Sequence, residues 1–157
     1  MTRRQVLGVA DRDRAPLLAE ALVSLGARHA LVVHGAEGMD EISPLGPSQV
    51  WEVRDGGVVE WTVEPAALGI AAGSMADLTG GEPAENAAQI EAVLNGSRRG
   101  GARDALRLNA AAALYVAGAA TGFVAPAPCR PIGPVQERVL VSAGGGLVGE
   151  SLLMASI

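Results

Sequence analysis

The sequence predicts an α/β domain with a partial open parallel sheet, flanked by helices and carrying a β-hairpin. Two short segments, residues 5–9 and 30–33, are apolar throughout, as strands are when helices cover both faces of a sheet. A helical repeat of apolar residues separates them, which predicts a β-α-β unit with a right-handed crossover. Two alternating segments around an Asp-Gly-Gly turn predict the hairpin.

The first helix is delimited by residues that favour helix ends. Asp13 is expected to cap its first turn, and Pro16 suits that turn because its missing N–H costs little there. Gly26 is expected to end the helix. Helical spacing predicts one apolar face made of Leu17, Leu18, Ala21, Leu22 and Leu25.

The hairpin strands are predicted over Gln49–Arg54 and Val58–Glu64. In the first strand Trp51 and Val53 alternate onto one face, and in the second strand Trp61 shares a face with Val59 and Val63. Two tryptophans without a basic setting make a poor platform for stacking nucleic-acid bases. Both are therefore expected to be packing residues.

Two more helices are predicted, from about Glu82 to Asn95 and from Arg103 to Ala117. Pro83 lies in the first turn of the earlier helix, and Gly96 follows its end. Its buried face is predicted to contain Ala87, Ile90, Val93 and Leu94. The later helix is rich in alanine, and Asn109 within it should have a buried partner or face a site.

The segment before the earlier helix, from Asp77 to Gly81, has two possible interpretations. Asp77 and the glycine pair Gly80-Gly81 precede a helix start, where a phosphate could bind. Adjacent acidic residues oppose an anion at that position, so a structural turn is favoured.

Composition argues against several classes of function. A chain of 157 residues fits one domain, and 49% hydrophobic residues suffice for a core. The net charge of −5 argues against a nonspecific nucleic-acid binder, which needs a basic face. No apolar span reaches the roughly 20 residues of a transmembrane helix, and charges interrupt the region where a signal peptide would be apolar. A cytoplasmic protein with no membrane or nucleic-acid partner is expected.

The single cysteine, Cys129, cannot form an internal disulfide. No His lies near it in the sequence to act as an activating base, so a role as nucleophile is not expected.

The stretch from His34 to Ser43 contains the strongest candidate site. It follows the second apolar strand, its glycines open a loop, and the loop carries the adjacent carboxylates Asp40 and Glu41. Ligands collect at the carboxyl ends of strands in open parallel sheets, and a carboxylate pair there can hold a hard cation such as Mg²⁺. His34 ends a buried strand and is more simply explained as a structural residue. Ser43 has no visible base partner, so no hydrolase triad is predicted.

Three segments, in this order, resemble the anthranilate phosphoribosyltransferase family. They are His34–Ser43, with the pattern His-Gly-x-x-Gly-x-Asp-Glu-Ile-Ser, then the glycine pair and helix start of Asp77–Ala87, and the alanine-rich helix of Leu108–Gly118. The resemblance runs from about residue 5 to 122 and covers the C-terminal part of the family enzyme. It implies the α/β domain of the nucleoside phosphorylase and phosphoribosyltransferase-like fold.

The resemblance also implies an activity and its ligands. Family enzymes join the amine of anthranilate to ribose C1 of phosphoribosyl pyrophosphate and release pyrophosphate, a step of tryptophan biosynthesis. Asp40 and Glu41 match the family's metal-holding pair, which implies Mg²⁺ as cofactor; no catalytic or other cofactor-binding residue is carried over. The full-length family also allows a homodimer, with the oligomeric state of this chain left open.

This sequence departs from the family in two respects. It lacks the family's glycine-rich phosphate loop, its Lys-His-Gly-Asn-Arg-like segment and the arginine that faces anthranilate. Residues 123–157 are rich in Pro and Gly and do not continue into the family's charged helix, so a shifted reading frame or an unrelated extension is inferred. The predicted division is a partial phosphoribosyltransferase-like domain at 1–122 and an atypical, disordered tail at 123–157.

These departures leave alternatives to activity in this chain alone. One is a non-catalytic, truncated α/β fragment, and another is a related phosphoribosyltransferase-like binding protein. A stand-alone module that binds through the acidic loop is the third.

Overall fold

The computed structural model describes residues 4–35, 37–71 and 73–123. Residues 124–157, which include Cys129 and nearly all of the predicted tail, lie outside these ranges. Within them the strands are β1 (Arg4–Gly8), β2 (His29–Gly35), β3 (Ser48–Arg54) and β4 (Gly57–Val63), and the α-helices are α1 (Ala15–Ser24), α2 (Pro83–Leu94) and α3 (Gly101–Ala117). Short 3-10 helices cover Arg12–Arg14, Pro65–Leu68 and Met75–Asp77.

The predicted β-α-β unit is present. β1 and β2 pair in parallel, in a register that runs from Arg4 opposite His29 to Gly8 opposite Val33. Pro16 lies in the first turn of α1, and Gly26 follows the helix with a φ of 74°, as predicted. The predicted cap at Asp13 is wrong: Asp11 accepts a hydrogen bond from the Asp13 N–H and begins a short 3-10 helix that leads into α1.

The buried face of α1 differs from the predicted face. Its buried residues are Ala15, Ala19 and Leu22, whereas Leu17 is 68% exposed and Leu25 is 60% exposed. The two alanines have no bulk beyond Cβ, so the helix axis can approach the sheet closely along that side. Of the predicted face, Leu22 is buried and Leu18 is half-buried, whereas Leu17, Ala21 and Leu25 are exposed.

The hairpin extends the parallel pair into a mixed four-stranded sheet in the order β1-β2-β3-β4. β3 pairs antiparallel with β2, and β4 pairs antiparallel with β3. Asp55 and Gly56 form the turn with φ values of 53° and 80°. Both values lie in the left-handed region that two-residue hairpin turns of the primed type require, which explains the Asp-Gly sequence.

Each face of the sheet carries its own apolar cluster. Between the sheet and α1 lie Val32, Trp51 and Val53, packed against Ala15, Ala19 and Leu22. On the α3 side lie Leu31, Val33, Ile42, Val50, Leu108, Ala112 and Val116. Trp51 is buried in the first cluster, while Trp61 packs at the margin of the second, with its ring centroid 5.5 Å from that of Phe123. Both tryptophans are thus packing residues, as predicted.

The two later helices differ in how they are held. α3 buries Leu108, Ala111, Ala112 and Val116 against the sheet, as expected of a small-residue helix. α2 buries only Val93, and Ile90 is 56% exposed, so most of its predicted apolar face is not covered within the described residues. None of the described helices is long and apolar enough to cross a membrane.

Candidate functional site

The acidic loop, defined here as the described residues 37–43, follows the carboxyl end of β2. Its first turn is closed by two backbone hydrogen bonds: the Gly35 N–H donates to the Met39 carbonyl at 2.8 Å, and the Gly38 N–H donates to the Gly35 carbonyl at 2.9 Å. Gly38 has a φ of 81°, a conformation that glycine adopts without strain. The turn places the next two residues, Asp40 and Glu41, beside the end of β1.

Two glycines at the ends of parallel strands make room for this loop. A Cβ added to Gly8 would lie 1.4 Å from the carbonyl oxygen of Asp40, so only glycine fits there. A Cβ on Gly35 would lie 3.0 Å from the Glu41 carbonyl oxygen and 3.2 Å from the Ser43 Cβ. The loop backbone therefore packs directly on the ends of β1 and β2.

Asp40 and Glu41 are both exposed and adjacent. The pKa of Glu41 is raised above its ordinary value of 4.5, first by burial of part of the carboxyl and then by the negative charge of Asp40 and a hydrogen bond to it. A cation beside the pair would favour the ionised form of Glu41. Among the described residues, no three His, Cys, Asp or Glu side chains lie close enough together to hold a metal ion.

The loop is held from the opposite side by α3. Asn109 accepts a hydrogen bond from the Ile42 N–H through Oδ1 at 3.0 Å and donates from Nδ2 to the Ile42 carbonyl at 3.0 Å. The same Nδ2 donates to the Ala105 carbonyl at 2.9 Å. The Asn109 amide therefore has the buried partner that the sequence predicted for it, and that partner is the acidic loop.

Two serines complete the loop's end. The Ser43 N–H donates to Ser48 Oγ at 2.9 Å, and Ser43 Oγ accepts from the Leu45 N–H at 3.0 Å. Both serines are fully buried. Their hydroxyls form part of the turn into β3.

His34 has a contact that agrees with a structural role. Its Nδ1 lies 2.8 Å from the Val9 carbonyl oxygen, and because a carbonyl can only accept, Nδ1 carries the proton. This bond joins the end of β2 to the residue that follows β1. The ring is half-buried, beside the sheet edge from which the acidic loop emerges.

The segment before α2 is a structural turn. Asp77 accepts from the Ser74 N–H at 2.8 Å and from Ser74 Oγ at 3.1 Å, and these bonds lower the pKa of Asp77. At the start of α2 the Glu82 N–H donates to the Glu85 carboxylate at 3.0 Å. A carboxylate of the chain itself thus occupies the helix N-terminus where an anion would otherwise bind.

Sequence reasoning identified the two carboxylates and Asn109 but missed the residues on which the loop rests. Gly8, Gly35 and Ser48 each lie at the end or start of a strand. A glycine ending an apolar strand was the available signal, since such a residue often permits close approach of another backbone. Nothing in the sequence showed which segment would approach.

The sequence model of one protein family matches residues 1–125, and its description is glycosyl transferase family, a/b domain. The chain belongs to this family. In the structure, this a/b domain corresponds to the mixed sheet, its flanking helices and the acidic loop described above.

Curated relatives of this glycosyl transferase domain bear the name anthranilate phosphoribosyltransferase. The protein from Anaeromyxobacter dehalogenans is 50% identical over 119 residues, covering 76% of this chain and 35% of the relative. The one from Methanococcoides burtonii is 47% identical over 118 residues, covering 75% of this chain and 33% of the relative. The chain thus spans about a third of the length of the curated relatives it matches.

Solved structures confirm the predicted fold class. Anthranilate phosphoribosyltransferase from Thermus thermophilus matches with a TM-score of 0.66 and 39% identity, over 74% of this chain and 33% of that one. The Saccharomyces cerevisiae enzyme, solved in complex with PRPP and Mg, matches with a TM-score of 0.66 and 26% identity, over 76% of this chain and 35% of that one. The resemblance to a segment of this enzyme is thereby confirmed.

Proposed function

We propose that the chain supplies the cation-holding part of a phosphoribosyl transfer site. In that reaction the phosphoribosyl group of phosphoribosyl pyrophosphate passes to the anthranilate amine and pyrophosphate leaves. The observation that carries the proposal is the adjacent, exposed pair Asp40 and Glu41, held at the carboxyl ends of two parallel strands. Ligands of open α/β sheets bind at that edge. Relatives that share this segment are anthranilate phosphoribosyltransferases, and one was solved with PRPP and Mg.

The residues fit Mg²⁺ by their chemistry. Mg²⁺ prefers oxygen ligands and is commonly held by one or two carboxylates, with water and substrate phosphates completing its shell. Burial, and after it the negative charge of Asp40, raises the pKa of Glu41, and a cation beside the pair would offset that charge. When bound, the ion would neutralise charge on the leaving pyrophosphate. The chain's own contribution is to hold both carboxylates at one place on the sheet edge.

A chimera tests this function. Residues 5–122 would replace the matching segment of the Thermus thermophilus relative, and loss of anthranilate fluorescence would be followed with phosphoribosyl pyrophosphate and Mg²⁺. Asp40→Asn combined with Glu41→Gln is expected to lower the rate by about two orders of magnitude or more, because both carboxylates are removed from the charge-stabilising site. Glu37→Gln is the matched control, since Glu37 is an exposed carboxylate of the same loop.

The outcomes separate the alternatives. A chimera that is active and loses activity only with the double substitution supports the transferase role. An active chimera that is indifferent to the double substitution contradicts the role of the pair. If the chimera folds but is inactive even with Asp40 and Glu41 present, the segment has lost catalytic competence, and the reading as a non-catalytic fragment or binding protein is favoured.

A further inference from the structure

Asn109 is the only side chain of α3 for which the structure describes hydrogen bonds to the acidic loop. It lies 67 positions from Ile42 in sequence, and its amide meets both backbone polar groups of that residue. Oδ1 accepts from the N–H, and Nδ2 donates to the carbonyl. Because the two bonds need opposite ends of the amide, they admit a single orientation of the side chain.

Because Ile42 follows Glu41 in the chain, a restraint on the Ile42 backbone also restrains the backbone that carries the carboxylates. Its side chain is fully buried in the cluster between the sheet and α3, and it is the residue next to Glu41. On the other side of the pair, the Asp40 carbonyl packs against Gly8. The backbone that carries the two carboxylates is thus held at Asp40 and at Ile42, and Asn109 provides the restraint on the C-terminal side.

A loop that carries two adjacent negative charges would otherwise relax by moving them apart. Neither carboxylate forms an ion pair with Arg or His in the described structure. The described contacts that hold the backbone of the pair in place are therefore those at Gly8 and at Ile42. This is the arrangement expected of ligands prepared for a cation before the cation binds.

We propose that Asn109 is a positioning residue for cation binding at Asp40 and Glu41. It does not contact the ion, and it acts by holding the Ile42 backbone. The inference rests on the proposed function, since it concerns the same carboxylates. Groups that orient ligands from outside the coordination shell commonly change metal affinity by about 10–100-fold when they are removed.

The first test measures the loop without any metal. Amide hydrogen exchange of Ile42 would be compared in the full chain, in Asn109→Ala and in Val116→Ala. Val116 is the matched control, because it lies on the same helix and is buried in the same cluster, but its side chain makes no hydrogen bond to the loop. We expect Ile42 exchange to accelerate at least tenfold in Asn109→Ala, relative to core amides of β2, and to follow those core amides in Val116→Ala.

The second test measures the cation, with Mn²⁺ as a paramagnetic probe that broadens NMR signals of residues 37–43. Asn109→Ala is expected to weaken Mn²⁺ binding about tenfold. Asn109→Asp keeps the acceptor for the Ile42 N–H but loses the donor to its carbonyl, and its added negative charge alone would strengthen cation binding. A weakening in Asn109→Asp as well would therefore report position rather than charge.

The results distinguish this inference from the proposed function. If Asp40→Asn with Glu41→Gln leaves Mn²⁺ broadening unchanged, the proposed cation site is wrong, whereas Ile42 exchange still decides whether Asn109 holds the loop. If Asn109→Ala exchanges Ile42 no faster than Val116→Ala does, or if Asn109→Ala binds Mn²⁺ as tightly as the original chain, the positioning role is overturned. Faster exchange together with weaker Mn²⁺ binding supports it.

Discussion

Gly8 and Asp40 touch through their backbones at the carboxyl end of β1. A side-chain carbon at Gly8 would lie 1.4 Å from the Asp40 carbonyl oxygen, far inside any allowed contact. The neighbour is backbone, so it cannot swing aside as the end of a flexible side chain could. The position of the acidic loop therefore depends on the absence of a side chain on a strand 32 residues earlier in sequence.

Gly8→Ala should displace the acidic loop from the sheet edge. Overpacking of this kind typically destabilises a fold by about 1–3 kcal/mol, which would appear in urea unfolding. Gly57→Ala is the matched control, because a Cβ there would meet only the Arg54 carbonyl oxygen at 3.9 Å, an ordinary contact. Equal stability of the two variants, with unchanged NMR shifts for Asp40 and Glu41, would contradict the tight contact.

How much the sequence could predict depends on the range of the interaction. Strands β1 and β2 and the Asp55-Gly56 turn follow from local apolar runs and backbone requirements, and all were predicted. The buried face of α1 was not predicted correctly, because Ala15 and Ala19 have little apolar surface of their own and are buried only through close approach to the sheet. Likewise, periodicity predicted apolar residues on α2 but could not show that Ile90 lacks a covering surface among the described residues.

The same distinction between local and long-range interactions applies to the candidate site. Asp40 and Glu41 were predicted because chemistry and local sequence point to them, and their role in cation binding stays a prediction. The partner of Asn109 could not be named, since its bond to Ile42 joins segments 67 positions apart. Such pairings emerge only when strand order and helix direction bring α3 and the acidic loop together in the fold.

The chain by itself is expected to form no phosphoribosyl-anthranilate. It spans about a third of the length of its curated relatives, and its sequence contains no glycine-rich phosphate loop of the family type. Catalysis of a two-substrate reaction depends on positioning both reactants together, and one part of a site cannot do that. Anthranilate fluorescence with excess phosphoribosyl pyrophosphate and Mg²⁺ is the assay, and loss of signal in proportion to protein concentration would refute the expectation.

The domain boundary predicted near residue 122 is testable by limited proteolysis. The chain contains no lysine, so trypsin cuts only after arginine. Cuts after Arg138 are expected before cuts after Arg54 or Arg107, because prolines and glycines on either side of Arg138 oppose regular structure, whereas Pro131 blocks tryptic cleavage after Arg130. Arg107, by contrast, lies in α3. Mass spectrometry would identify the fragments, and early cleavage after Arg107 would place the boundary elsewhere.

Cation binding by the acidic loop should strengthen as pH rises. The pKa of Glu41 lies above 4.5 because of burial and then the charge of Asp40, so near pH 4.5 most Glu41 carboxyls keep the proton that a cation must displace. Mn²⁺ affinity should therefore rise as pH passes through the raised pKa and then level off. Titrations across that window would show it, and an affinity independent of pH would exclude Glu41 as a ligand.

The same raised pKa has a stability consequence with a defined sign. A carboxyl whose pKa is higher in the folded chain contributes stability below 4.5 that is lost as pH rises through the folded value. Asp40→Asn removes the negative charge beside Glu41 and the hydrogen bond between the two carboxyls, and leaves burial as a cause of the raised pKa. The Glu41 pKa, followed by the NMR shift of its carboxyl carbon, should fall in this variant but stay above its ordinary value.

The last prediction concerns the buried network around Glu52, which ties α3 to the sheet. Its carboxylate oxygen Oε1 lies 2.8 Å from His29 Nε2 and accepts from the Tyr115 hydroxyl at 2.8 Å, while Oε2 accepts from Trp61 Nε1 at 3.0 Å. The pKa of Tyr115 is raised above 10.0, first by burial and then by the hydrogen bond and charge of Glu52, with Arg54 acting in the opposite direction.

Tyr115 is the only tyrosine in the chain, so tyrosinate absorbance reports this one group. The titration midpoint should lie above 10.0 and move down in Glu52→Gln, which removes the negative charge but keeps an amide in place. Because the folded pKa is raised, stability should fall as pH rises from 10.0 through that midpoint. Tyr115→Phe should lose about 1 kcal/mol of unfolding free energy at neutral pH and show a shallower decline above pH 10.0. A midpoint at or below 10.0 in the folded chain, or no movement in Glu52→Gln, would mean that Glu52 does not hold the hydroxyl as the structure describes.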